Sequence, residues 1–117
     1  MELFQIILSE EDVIFYPDCI DAHIYVQVGD LCFPSEQWTD FADQVLSMWA
    51  EQLISAKGRD GNYTLPFEDG PFWIKAEKIG SDLCLKGIND RKKRTVEFEL
   101  CCSYTAIIQE VFKAFTR

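Results

Sequence analysis

The chain has 117 residues, 48% hydrophobic and 26% charged, a globular composition long enough to bury a core without metal or disulfide staples. Its net charge of −9 makes nucleic acid and anionic membrane poor partners and basic protein surfaces good ones. The longest apolar runs, such as LFQIIL, fall far short of the ~20 residues of a membrane-crossing helix, and MELFQII lacks a basic signal region, so a cytoplasmic location is expected.

From the N-terminus, ELFQIILS reads as a strand and VIFY as a candidate second, short one. DAHIYVQVGDLCF follows as a longer strand, with Ala22, Ile24, Val26 and Val28 on one face and His23, Tyr25 and Gln27 on the other. Next, Ser35 after Pro34 is a natural N-cap, and Glu36 stands where the helix dipole favours an anion. At helical spacing Trp38, Phe41, Ala42, Val45, Met48, Trp49, Leu53 and Ala56 share one face, and Lys57–Gly58 suits the C-terminus. NYTLPF, FWIKAEKI, LCLKGI and TVEFELC then read as an antiparallel meander, joined by EDGP, GSD and NDRKKR. SYTAIIQEVFKAFTR closes the chain as an amphipathic helix capped by Ser103. The expected fold is a single α+β domain over residues 1–117: a curved antiparallel sheet of six to seven strands with two amphipathic helices on one face.

No arrangement names a reaction. The single histidine, His23, has no serine or cysteine placed to pair with it, and no phosphate loop, nucleophile elbow or H-E-x-x-H occurs, so no catalytic residue and no enzyme is expected. SEEDVIFYPDCID is acidic but lacks the spacing and glycine of a calcium loop, so neither a metal site nor a cofactor is expected. Five cysteines, an odd number without C-x-x-C and with Cys101–Cys102 adjacent, suit neither a disulfide ladder nor zinc and read as reduced, buried thiols. Cys102, just ahead of the last helix, comes nearest to a reactive environment.

Charge placement is the informative feature. Eleven acids and no Lys or Arg lie between Met1 and Ala56; all eleven basic residues lie from Lys57 onwards, against nine acids. On the first helix Glu36, Asp40, Asp43, Ser47 and Glu51 form a stripe opposite the apolar face. Like-charge pairs at such spacings cost roughly 0.2–0.5 kcal/mol each, and the dipole offsets little beyond the first turn. A merely solvated face can tolerate that cost, since salt screens it, but more usually interleaves Lys or Arg. The stripe is therefore expected to face a cationic partner. RKKR, Arg91 to Arg94, reads as a solvated hairpin tip, or as a contact for the stripe of a second copy in a homodimer.

The pattern FPSEQWTDF…VLSMW, followed by LPFEDGPFWI and a terminal helix, resembles small uncharacterised bacterial proteins, some of which are similar to immunity proteins that neutralise toxins delivered between competing cells. The likeness covers Phe33 to Ile74 and the element order. It implies a cytoplasmic, non-catalytic inhibitor that covers the active site of a basic toxin or nuclease. Partner contacts are expected from Glu36, Asp40, Asp43 and Glu51, joined by Asp18, Asp21 and Asp30, with Tyr25, Tyr63 and Phe72 as candidate aromatic anchors. Alternatives are a phage-type DNA mimic and a small-ligand binder with a pocket lined by Trp38, Trp49, Phe67 and Trp73. The protein is expected as a monomer or a homodimer.

Overall fold

A computed structural model describes residues 3–116. Among them the chain forms eight strands and two helices: β1 (Phe4–Phe15), β2 (Ile20–Val28), β3 (Leu31–Phe33), β4 (Thr39–Phe41), α1 (Ala42–Ser55), β5 (Gly61–Pro66), β6 (Phe72–Ile79), β7 (Asp82–Asn89), β8 (Thr95–Ser103) and α2 (Tyr104–Phe115). The expected single sheet of six to seven strands is instead two antiparallel sheets of four. Alternation shows which side chains share a face, but not which strand lies next to which, and β5 opens a new ladder.

The first sheet is built around β2. β1 pairs along one side of it, from Phe4↔Val28 to Ser9↔His23, then skips to Ile14↔Asp21 and Phe15↔Ile20. The skipped segment is a bulge carrying Asp12 at φ 57°. The other side of β2 is shared: β3 lies opposite Val26–Val28 and β4 opposite Asp21–His23. β2 has ladders on both edges and buried side chains on both faces, so His23 and Tyr25 are inside as well as Ile24 and Val26. His23 Nδ1 lies 2.9 Å from the Gln37 carbonyl, and its Nε2 lies 3.6 Å from the Asp12 carboxylate.

β4 also corrects the first helix. Thr39–Phe41 is extended because it pairs with β2, so α1 starts at Ala42 and not after Ser35. Phe41 holds the N-cap position without a side-chain bond. The end is as expected: Ala56 is the C-cap and Gly58 turns the chain at φ 71°. α2 begins as expected too, with Ser103 Oγ accepting from the Ala106 N–H at 3.0 Å.

β5 to β8 form the expected meander. Its inner face, with Leu65, Phe72, Ile74, Ala76, Leu83 and Leu85, joins the same core as Ile24, Val26, Trp49, Leu53, Ile107 and Val111. α1 packs on β2 and β5, α2 on β1, β7 and β8, and the helices touch each other. Phe33 of β3 closes the junction between the sheets, edge-on to Phe67, Phe72 and Phe98 at 5.9, 5.8 and 5.4 Å. Glycine at position 87 makes this possible, since a Cβ there would stand 2.3 Å from the Phe98 ring and 3.3 Å from Phe33. Two helix side chains cap sheet edges: Glu110 Oε1 accepts from the Ile6 N–H at 2.9 Å, and Gln52 Oε1 from the Thr64 N–H at 3.3 Å.

The thiol expectation is corrected as well. Cys84 and Cys101 face each other across β7 and β8 on the outer face and are joined as a disulfide, with Cα atoms 4.0 Å apart, the approach of a non-hydrogen-bonded pair. Cys19, Cys32 and Cys102 are free and half-buried. Among the described residues no helix is long and apolar enough to cross a membrane.

Candidate functional site

The expected stripe does not survive as one surface. Glu36 is exposed but lies in the β3–β4 loop, and Asp40 lies on β4, so only Asp43 and Glu51 of the four stripe acids are on α1. Asp40 is a correction: it is 3% exposed and cannot meet a partner. Its Oδ1 accepts from the Phe41 N–H at 2.8 Å, and its Oδ2 from Trp38 Nε1–H and the Asp69 N–H, both at 3.1 Å. Burial raises the Asp40 carboxyl above the ordinary carboxylate range, with the Asp69 charge adding to it; the three hydrogen bonds pull the other way. Asp40 therefore ties β4 to the β5–β6 turn.

The other acids stay at the surface. Asp18 is exposed in the β1–β2 turn, Asp30 is exposed between β2 and β3, and Glu51 is exposed on α1. Asp21 opens β2 half-buried, and Asp43, in the first turn of α1, accepts from the Ile20 N–H at 2.9 Å. That bond, between residues 23 positions apart, draws the β1–β2 turn onto the start of α1 and brings Asp18, Asp21 and Asp43 together around Cys19. Desolvation first, then the charges of Asp18, Asp43 and Asp21, push the Cys19 thiol up. Glu36 acts separately, adding to the desolvation that raises Tyr25 and Cys32. Among the described residues no group of three or more His, Cys, Asp or Glu is arranged to hold a metal ion.

Among the described residues no Lys or Arg forms an ion pair with these acids. Among the described residues the ion pairs are His23–Asp12, Lys78–Asp60 and Arg94–Asp90, and only the histidine pair touches the N-terminal half. The RKKR segment is partly folded back: Arg91 lies over the Phe72 ring and Arg94 over Trp73, both at 5.5 Å, while Lys92 and Lys93 are exposed.

Beside the acid cluster an open groove of about 320 Å³ runs between β1, the start of β2, α1 and the end of α2. Leu8, Val13, Ile20, Ala22, Leu46 and Ala114 give it an apolar floor, with Glu10, Asp43, Phe15 and Phe115 also lining it. Phe15 is 76% exposed and Phe115 45%. Of the expected anchors, Tyr25 and Phe72 are buried and Tyr63 is half-buried with its hydroxyl donating to the Arg59 carbonyl. The available signal was VIFY: four consecutive apolar residues cannot all point inward from a strand whose side chains alternate. Of the four aromatic residues of the expected ligand pocket, Phe67 and Trp73 line one open pocket of about 470 Å³ together with Phe72, and the other two stand behind it. Trp49 and Phe67 pack edge-on at 5.3 Å in the core, Trp38 packs edge-on to Phe72 at 5.2 Å, and Trp73 lies under Arg94.

Fold and site together define an α+β domain of two open antiparallel sheets, with uncompensated acids beside an apolar groove. No protein-family model, curated protein or solved structure matches the chain.

Proposed function

We propose that the protein is an acidic inhibitor of immunity type, which docks on a basic toxin or nuclease and covers its active site. One observation carries this reading: the bond from the Ile20 N–H to Asp43 sets Asp43 against the turn that carries Asp18 and Asp21, and no Lys or Arg is paired to the three among the described residues. Converging like charges raise the free energy of the isolated domain, and a cationic partner relieves that repulsion. Such complementarity acts mainly on encounter, raising association rates by 10- to 1,000-fold at low salt.

In this reading the inhibitor works in the cytoplasm, where reductants keep most cysteines as thiols. The Cys84–Cys101 bond lies on the outer face of the second sheet, so its loss leaves the core contacts intact. Genes beside its own supply the first partners to test. Association of the purified pair should be fast in ~0.01 M salt and slow in ~1 M, as the Debye length falls from about 30 to about 3 Å. The triple variant Asp18→Asn, Asp21→Asn, Asp43→Asn should lose about tenfold or more of the low-salt rate. A rate indifferent to both salt and the three substitutions would overturn the proposal.

A further inference from the structure

Resting on that reading, we infer that the groove between the β1–β2 turn and the two helices receives a large apolar side chain of the partner, flanked in the partner's sequence by lysine or arginine. The occupant is thus a basic amphipathic segment of a protein. Three features select it. The floor, formed by Leu8, Val13, Ile20, Leu46 and Ala114, offers hydrogen-bonding groups little purchase, and its volume of about 320 Å³ lies at the lower end of ligand-sized pockets. Phe15 and Phe115 remain exposed at its rim, and large aromatic side chains left in water beside a groove mark contact surfaces. Glu10 and Asp43 line the same groove, and the Ile20 N–H bond to Asp43 holds it against the turn that carries Asp18 and Asp21. A neutral apolar ligand would leave those charges unanswered, and an anion would be repelled. The last carbonyls of α2 add partial negative charge at that end. Lys113, in the last turn of α2, makes no ion pair with these acids.

The test uses the full chain, isotope-labelled for amide spectra, titrated with the acetylated peptide amide Lys-Arg-Phe-Leu-Lys-Arg. Amides of Ile20, Leu46, Ser47 and Phe115 should shift. Exchanging Phe-Leu for Ser-Ser should weaken binding by about tenfold, the loss expected for an apolar side chain no longer buried. Exchanging the basic residues for Glu should abolish it. Ser47 is exposed and lines the groove, so Ser47→Trp fills the space without disturbing the core and should remove the shifts. Binding that survives both Ser47→Trp and the Ser-Ser peptide, yet weakens in the Asp18, Asp21, Asp43 triple variant, sinks the groove inference and leaves the inhibitor reading standing. Binding insensitive to the triple variant as well counts against both. Shifts that appear on concentrating the protein without peptide, matched by a larger sedimentation coefficient, assign the groove to a second copy and overturn the basic-segment occupant.

Discussion

Asp40 and Asp43 differ by three positions and by everything else. Asp40 has its three hydrogen bonds inside the protein, whereas Asp43 gives one oxygen to the Ile20 N–H and lines a surface groove. Replacing Asp40 with Ala leaves its donors without a partner and should lower unfolding free energy by about 2–3 kcal/mol. Asp40→Asn keeps one acceptor oxygen but turns an NH₂ group toward one of the donors, so it too should destabilise, by less. The pH dependence follows from the raised carboxyl. The folded chain holds this proton more tightly than the unfolded chain, so the stabilisation is complete below the ordinary carboxylate range and fades as pH rises through the raised value. The wild-type advantage over Asp40→Asn should therefore be larger at mildly acidic pH than at neutral pH, as denaturant midpoints would register. Gly87 invites a second test. Any Cβ there meets the Phe98 ring at 2.3 Å, so Gly87→Ala should destabilise by roughly 1–3 kcal/mol in the same measurement, and Phe98→Leu in the same chain should recover part of the loss.

Among the elements, those governed by local rules were legible and those governed by distant partners were not. α2 follows from the Ser103 cap and the 3–4 spacing of Tyr104, Ile107, Ile108, Val111, Phe112 and Phe115, although Phe112 and Phe115 of that set are exposed. The meander follows from alternation punctuated by turns, as in β6, where Phe72, Ile74, Ala76 and Lys78 are buried and their neighbours are not. β4 was hidden. Trp38 and Phe41 fit a helical face by spacing, but Thr39–Phe41 pairs with β2, a claim on the backbone that local periodicity does not encode. The acid cluster was hidden for the same reason, since the Ile20–Asp43 bond crosses 23 positions. The disulfide belongs here too, because β7–β8 register and not cysteine spacing brings Cys84 opposite Cys101. Thiol titration of the oxidised, denatured chain should count three of the five cysteines. With the bonded positions 17 apart in the sequence, Cys84→Val with Cys101→Val should lower stability by about 3 kcal/mol. Far-UV dichroism should not change, because both side chains lie outside the core.

Across the whole molecule, charge and stability pull in opposite directions. The first sheet and α1 carry acids with no Lys or Arg paired to them among the described residues, whereas the second sheet places Lys75 opposite Lys86 and Lys86 opposite Glu99 on its outer face. A surface arranged only for the fold would lose stability, or stay neutral, when its acids are removed. A surface arranged for a partner should gain, since the isolated domain bears repulsion that binding relieves. Asp18 and Asp21 separate the two cases, because no fold-holding bond to another element rests on their carboxylates, unlike that of Asp43. Asp18→Asn with Asp21→Asn should raise unfolding free energy by about 0.5 kcal/mol at low ionic strength, the scale of a few screened like-charge contacts near a surface. The gain should vanish in ~1 M salt, where the Debye length is about 3 Å. Denaturant unfolding of the two chains at both salt concentrations decides it. A loss of stability at low salt would mean that these carboxylates serve the fold, and the same pair of titrations would then remove the reason for assigning them to a partner.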